Sequence, residues 1–140
     1  MKNYFITGGT GSFGKMFSEI LIKKKLAKKI VIYSRDEFKQ DEMKQLEYVR
    51  KNEDKFRFFL GDVRDRDRLM YAINDQIDCV IHTAALKQVP ATEYNPFEAV
   101  KTNVIGTQNL IDTCLEKNIK KNLLISTDKA ASPINLYGAT

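Results

Sequence analysis

Thr7-Gly8-Gly9-Thr10-Gly11-Ser12-Phe13-Gly14 is the stretch that decides the fold. It follows the run Lys2 to Thr7, which reads as a short buried strand. After it Phe13, Met16, Phe17, Ile20 and Leu21 recur at i, i+3, i+4, i+7 and i+8, the spacing of an amphipathic helix. Glycines between a strand and a helix permit a tight turn and let backbone approach a pyrophosphate at the positive end of the helix. A glycine turn without a ligand is the plainer alternative, against which the order strand, loop, helix argues.

Working outward, Lys29 to Tyr33 is the next β-rich run, and Ser34-Arg35-Asp36-Glu37 has the pattern of a capping box opening a polar helix to about Lys51. Phe56 to Leu60 predicts a third strand, Asp65 to Ile73 a short helix, and Cys79 to Thr83 a fourth strand apolar enough to be covered on both faces. Asn95-Pro96-Phe97-Glu98 combines an N-cap, a proline at the first helical position and an N3 acid. The long helix it opens is expected to reach about Lys117 with Phe97, Val100, Val104, Ile111 and Cys114 on its apolar face, and Asn122 to Ser126 supplies a fifth strand. Strands alternating with helices predict an α/β, Rossmann-like doubly wound parallel sheet, strand order 3-2-1-4-5, with right-handed crossovers and helices on both faces. Residues 1–140 are read as one nucleotide-binding domain.

With 140 residues, 43% of them hydrophobic, the chain can bury a core of ordinary size. Its longest apolar runs, such as Phe56 to Leu60 and Leu123 to Ile125, fall far short of the ~20 residues of a membrane span. The opening residues enter a strand at once, without the features of a secretory signal, so a soluble cytoplasmic protein is expected. Cys79 and Cys114 have no thiol or histidine spaced around them for a metal site and read as buried small hydrophobes. The lone His82 reads as a core residue at a strand end. The net charge of +5 owes much to Lys23, Lys24, Lys25, Lys28 and Lys29, placed where the first helix should end and complementing its dipole. No aromatic residues interleave with that run for base stacking, which argues against a nucleic-acid partner; the positive charge favours an anionic ligand.

At the end of the second strand, where NAD enzymes of this architecture carry an acid for the ribose hydroxyls, stand Ser34 and Arg35. Without a carboxylate to repel it, a 2′-phosphate is accepted, and a guanidinium can bind it bidentately, so NADP is favoured over NAD. Ser34 can also cap the next helix, and Arg35 can be a plain surface charge. Asp62 and Val63 follow the third strand, where a carboxylate can accept from an adenine amino group or cap the next helix. Near the end come Ser126-Thr127-Asp128-Lys129 and then Tyr137: a hydroxyl, an acid and a lysine at the carboxyl end of a parallel strand, the edge where such sheets carry their sites. An exposed loop ion pair is the alternative for Asp128 and Lys129.

Gly8, Gly11 and Gly14, two residues apart each, resemble the glycine loop of the extended short-chain dehydrogenase/reductases. Together with Ser34-Arg35-Asp36-Glu37, Gly61-Asp62-Val63-Arg64-Asp65, Ala85-Leu86-Lys87-Gln88-Val89-Pro90 and Ser126-Thr127-Asp128-Lys129-Ala130, the chain resembles the UDP-N-acetylglucosamine 4,6-dehydratases of the inverting type, in surface-polysaccharide or flagellin-glycan synthesis. Retaining relatives resemble the last of these segments as Thr-Asp-Glu, and epimerases carry small or apolar residues there.

The resemblance implies NADP held by Gly8, Thr10, Gly11, Ser12, Phe13, Gly14, Ser34, Arg35, Asp62, Val63, Ala84 and Ala85. It implies substrate contacts from Lys87 and Gln88, which otherwise read as solvated loop residues. Tyr137 becomes the base on the sugar 4-hydroxyl with Thr127 on the same oxygen, a neutral Lys129 the base at carbon 5, and a protonated Asp128 the acid for the departing 6-hydroxyl. Glu93, Tyr94 and Asn103 read as structural, the Asn103 amide bracing the active-site loop. The family's Tyr-x-x-x-Lys lysine would stand one position beyond Thr140. The chain is therefore expected to be an N-terminal piece without its substrate domain. It should bind NADP(H) without turnover, with Ser132 to Thr140 mobile or held by a neighbouring chain, and should homo-oligomerise only at full length. A UDP-sugar 4-epimerase and a non-catalytic NADP-binding module are the alternatives.

Overall fold

The computed structural model of the protein describes residues 1–140. Five parallel strands, β1 (Lys2–Thr7), β2 (Ala27–Ser34), β3 (Phe56–Leu60), β4 (Cys79–His82) and β5 (Asn122–Leu124), lie in the order β3-β2-β1-β4-β5. The order and the parallel pairing are those the alternation predicts. The helices are α1 (Ser12–Lys23), α2 (Glu37–Lys44), α3 (Glu47–Arg50), α4 (Arg66–Ala72), α5 (Val89–Tyr94), α6 (Pro96–Ala99), α7 (Gly106–Glu116) and α8 (Leu136–Ala139).

Side chains alternate across a strand, so each strand feeds two cores. Phe5, Val31, Tyr33 and Val80 pack on Leu69 and Ala72 of α4 and on Leu110 and Cys114 of α7. Ile6, Ile30, Ile32 and Ile81 pack on Leu21 of α1, Met43 of α2 and Val49 of α3. Both faces are thereby covered. Register aligns the strand ends: Thr7 pairs with Tyr33 and His82, Ser34 with Leu60, and His82 with Leu124. Every loop that follows a strand therefore leaves from one edge of the sheet.

The helices depart from the sequence reading where packing is tightest. The inward face of α1 is Gly14, Ser18 and Leu21, while Phe13, Met16 and Ile20 are exposed. The first turn sits so close to the loop that a methyl on Gly14 would overlap the Gly9 carbonyl, and Ser18 Oγ donates to Gly14 O at 2.6 Å. Only small side chains fit there. The polar helix expected to run to Lys51 breaks at Leu46, whose extended backbone (φ −63°, ψ 136°) separates α2 from α3. Its cap is Asp36, which accepts from Lys39 N at 3.0 Å, and not Ser34, which ends β2. Likewise Asp65, not Asp62, caps α4. Lys28 and Lys29 lie within β2, and only Lys23 is in the last turn of α1. Cys114 is buried as expected, but Cys79 only in part.

From Ala99 to Glu116 the buried residues are Ala99, Thr102, Asn103, Gly106, Leu110, Thr113 and Cys114, and the expected Phe97, Val104 and Ile111 are exposed. The physical reason is a π-helical segment, Val100–Ile105, between α6 and α7: its wider turn shifts the phase of the 3.6-residue stripe. Asn95 does not cap α6 through its side chain, whose amide donates back to Ala91 O at the end of α5, a helix the sequence reading left as loop. The fourth and fifth strands stop at His82 and Leu124. Ser132 to Thr140, expected to lack a packing surface, ends in α8, which lies against α5 with Gly138 buried. No helix is long and apolar enough to cross a membrane.

The carboxyl edge is pinned by His82, 5% exposed. Thr7 Oγ1 accepts from Thr83 N at 3.1 Å and Ala84 N at 3.3 Å, so its own proton goes to His82 Nδ1 at 2.6 Å. His82 Nε2 then donates to Thr107 Oγ1 at 3.0 Å, which donates to Asn103 O at 2.6 Å. Burial pushes the imidazole down from 6.5 to about 4. The unfolded chain thus binds the extra proton between those values, and stability present above pH 6.5 is lost as pH falls towards 4, by up to ~3 kcal/mol. Urea-unfolding midpoints are expected to fall steadily across that window, and His82→Gln to flatten the fall. An unchanged slope in the variant would show that another group carries it.

Candidate functional site

Two clefts open along the carboxyl edge and share the wall Thr83-Ala84-Ala85. The first, about 270 Å³, is lined by Gly8, Thr10 and Gly11 after β1, by Ser34, Arg35 and Lys39 around the β2–α2 turn, by Asp62 and Val63 after β3, and by Thr102. The second, about 340 Å³, is lined by Thr127 after β5, by Tyr137 of α8, and by His82, Asn103 and Thr107.

The first cleft is shaped for close approach by a ligand. Gly8 has φ +62°, and a Cβ there would lie 2.8 Å from Thr83 Oγ1 and 2.9 Å from Ala84 N. Gly11 occupies the N-cap of α1, so no side chain caps the helix and its first amides are left for an anion. Ser12, Phe13 and Gly14, in the first turn of α1, do not line the cleft. Thr102 Oγ1 is buried without a hydrogen-bond partner at the cleft wall. A bare helix start, a glycine floor and an orphaned hydroxyl fit a dinucleotide.

Asp62 is held by Arg64, whose Nε and Nη2 donate to Oδ2 at 3.0 and 2.7 Å and whose backbone N–H donates to Oδ1 at 2.9 Å. Partial burial disfavours the charged carboxylate, but the Arg64 bonds and charge outweigh it and hold Asp62 below the usual carboxylate range. Arg64 also reaches Glu98 at 2.5 Å, tying this loop to α6. Arg35, half exposed, stands 3.5 Å from Asp62 with its guanidinium at the cleft.

In the second cleft the structure brings Thr127 and Tyr137 together but leaves Asp128 and Lys129 outside its lining. Their side chains, 91% and 51% exposed, pair with each other at 3.7 Å. The Thr127 hydroxyl, donating to Asp128 Oδ1 at 3.1 Å, and then the Lys129 charge hold the Asp128 carboxyl below its ordinary value, the opposite direction from a protonated acid. Lys87 and Gln88 line neither cleft; Gln88 is the residue before α5.

Tyr137 is held by groups the sequence reading set aside as structural. Leu136 N donates to Glu93 Oε1 at 2.8 Å, and Asn135 Oδ1 caps α8 by accepting from Gly138 N at 2.9 Å. Asn103 grips the Leu86 peptide at both ends, accepting from its N–H at 2.8 Å and donating to its carbonyl at 3.0 Å, while its amide also donates to Thr140 Oγ1 at 3.0 Å. One side chain thus fixes the loop after β4 and the end of α8. Lys39 and Thr102 in the first cleft, and His82, Asn103 and Thr107 in the second, are among the cleft residues the sequence reading did not assign to the site. Lys39 stands four residues after Arg35, in the capped helix α2, and was findable by that spacing, whereas Thr102 lies in a π-helical segment that the sequence pattern did not predict.

A family profile described as polysaccharide biosynthesis protein matches residues 4–140. The chain is 54% identical over 139 residues to the UDP-N-acetylglucosamine 4,6-dehydratase (inverting) of Campylobacter jejuni subsp. jejuni serotype O:23/36, a match covering 99% of this chain and 40% of that protein. It is 41% identical to the UDP-glucose 4-epimerase of Rickettsia typhi, over 98% of this chain and 40% of the relative. Among solved structures, Pen from Bacillus thuringiensis superposes with a TM-score of 0.91 at 41% identity, covering 99% of this chain and 41% of Pen. The chain spans about 40% of the length of the curated relatives it matches. Matched along residues 4–140, and carrying its glycine loop and its Thr127 and Tyr137 segment on one sheet edge, the chain belongs to the polysaccharide biosynthesis protein family of extended short-chain dehydrogenase/reductases.

Proposed function

We propose that this chain is the nucleotide-binding part of an NADP-dependent UDP-N-acetylglucosamine 4,6-dehydratase. The observation that carries the reading is the shared wall Thr83-Ala84-Ala85, which joins a cleft built for a dinucleotide to a cleft presenting Thr127 and Tyr137. Gly8, Thr10, Gly11, the bare start of α1 and Thr102 hold the diphosphate and adenosine side, with Ser34, Arg35 and Lys39 around the 2′-phosphate. Bound there, the dinucleotide would supply a hydride acceptor for oxidising the sugar at carbon 4 and would return that hydride at carbon 6 after water loss, with carbon 5 reprotonated, so the overall reaction is redox-neutral. Tyr137 takes the proton of the 4-hydroxyl and Thr127 hydrogen-bonds the same oxygen. Lys129 removes the proton at carbon 5, acidified by the adjacent ketone, and Asp128 protonates the departing 6-hydroxyl as water leaves. Those protonation states require the open Asp128–Lys129 pair to be covered by cofactor and sugar, which strips it of water.

A 4-epimerase is the second reading, favoured by the position of Asp128 and Lys129 outside the cleft, since epimerisation needs neither at carbons 5 and 6. Assayed at full family length with UDP-N-acetylglucosamine, water loss and a 4-keto product support the dehydratase. UDP-N-acetylgalactosamine means epimerase, and binding without turnover means a non-catalytic module. A cytoplasmic homo-oligomer at that length belongs to the same proposal. The 140-residue chain alone is expected to bind NADP(H) without converting the sugar.

Cofactor choice is tested on the chain itself. It is expected to bind NADP(H) more tightly than NAD(H), and Arg35→Ala to remove most of the difference. Loss of one charged hydrogen-bond partner costs ~1.5 to 3 kcal/mol, about ten- to a hundredfold in affinity. Equal affinities in the parent overturn the NADP reading.

A further inference from the structure

Gln40 stands on α2, six residues after Ser34, with its side chain turned back beneath the ends of β2 and β3. It is 5% exposed. Its amide nitrogen lies 2.9 Å from the Phe59 carbonyl, 3.2 Å from the Ser34 carbonyl and 3.0 Å from Ser34 Oγ. Two of those neighbours are carbonyl oxygens, which only accept, so the group facing them is the NH2 and the amide's orientation is fixed. With two protons for three acceptors, one is shared between the two Ser34 oxygens. Ser34 Oγ is therefore an acceptor towards Gln40, and its own proton makes no hydrogen bond within the protein. Ser34 itself lines the first cleft together with Arg35 and Lys39.

We propose that Gln40 is the positioning residue that makes the nucleotide site selective for a 2′-phosphate, by holding Ser34 as a hydrogen-bond donor into the cleft. The inference rests on the NADP reading and deepens it. Phosphate oxygens only accept, whereas a ribose hydroxyl both donates and accepts. A freely turning serine serves either ligand; one that already gives one of its two lone pairs to an amide N–H is biased towards donating and best serves the pure acceptor. The same amide, bonded to the Ser34 and Phe59 carbonyls, is itself held in place by the ends of β2 and β3.

The readout is the ratio of NAD+ to NADP+ dissociation constants, measured by titration calorimetry on the 140-residue chain. Gln40→Glu replaces the NH2 by an oxygen that draws the Ser34 proton away from the cleft and adds a negative charge behind it. The ratio is expected to fall about tenfold or more. Because a buried carboxylate can prevent folding, Gln40→Leu removes the amide without adding charge, and a fall of about fivefold is expected as the hydroxyl turns free. In a Ser34→Ala background, Gln40→Leu should change the ratio no further, a coupling that a plain brace would not show. If the parent prefers NADP+ but Gln40→Leu weakens both nucleotides equally, the inference fails and the NADP reading stands. A parent without preference overturns both.

Discussion

Lys129→Met is expected to cut water loss from UDP-N-acetylglucosamine, and deuterium uptake at carbon 5, by on the order of a hundred- to ten-thousandfold in the full family-length enzyme, while nucleotide binding and partial reduction of NADP by substrate persist. The separation follows from where the groups sit. Thr127 and Tyr137 line the second cleft, whereas Lys129 stands at its rim, paired only with Asp128 at 3.7 Å and half exposed. Removing the lysine therefore leaves Thr127, Tyr137 and the first cleft in place. Tyr137→Phe removes the base proposed for the 4-hydroxyl, so both the oxidation and the elimination that depends on the ketone should stop. Stopped-flow absorbance of NADPH and proton NMR in deuterated water follow the two steps separately. Dehydration by the Lys129 variant at a near-parental rate would leave Lys129 as a surface ion pair and overturn its role as the base at carbon 5.

Gly8→Ala is expected to cost ~2 to 5 kcal/mol, by two independent physical routes. An alanine at φ +62° occupies the left-handed region at ~1 to 2 kcal/mol. Its methyl would also press on Thr83 Oγ1 at 2.8 Å and on the Ala84 backbone nitrogen at 2.9 Å, a crowding worth ~1 to 3 kcal/mol. The hydroxyl of Thr83 donates to Thr7 O at 2.7 Å and the Ala84 N–H donates to Thr7 Oγ1, so neither yields without breaking the strand-end network. Against a typical total of ~5 to 15 kcal/mol, that loss removes a large share of the stability. It also displaces the wall shared by both clefts, so nucleotide affinity should fall with it. Gly11→Ala is the control: its φ is −73° and an added methyl meets only Gly8 O at 3.2 Å, so denaturation midpoints should drop far less. Equal losses in the two variants would remove the left-handed turn from the account.

The order of the strands was legible because each is a short apolar run bounded by turn residues, and the period-2 alternation at Phe5 and Ile6, Val31 and Ile32, and Val80 and Ile81 fixes two covered faces. The first cleft was legible for the same reason: Gly8, Ser34, Asp62 and Ala84 all come at or just after a strand end, and parallel strands in register bring those ends to one edge. Helix faces were not legible. Reading Phe13, Met16 and Ile20, or Phe97, Val104 and Ile111, as inward assumes that size and hydrophobicity decide the face. In α1 and in the α6–α7 segment, clearance from loop and sheet decides it, and Gly14, Ser18, Thr102 and Gly106 win because they are small.

The sequence by itself determined the strand-and-helix alternation, the sheet order, and the types of residue offered at the carboxyl edge, because these follow from local periodicity and from motifs a few residues long. Only the tertiary structure decided which of those residues meet. It placed Thr127 and Tyr137 in one cleft and left Asp128 and Lys129 at its rim. It brought Thr102, in the π-helical segment, to the wall of the first cleft, and it made Gln40 and Asn103 the braces of Ser34 and of the Leu86 loop. These are contacts between distant chain segments, such as Asn103 and Thr140, set by the spacing of packed layers and the geometry of single hydrogen bonds. No local pattern encodes that spacing; it exists only once both faces of the sheet are covered.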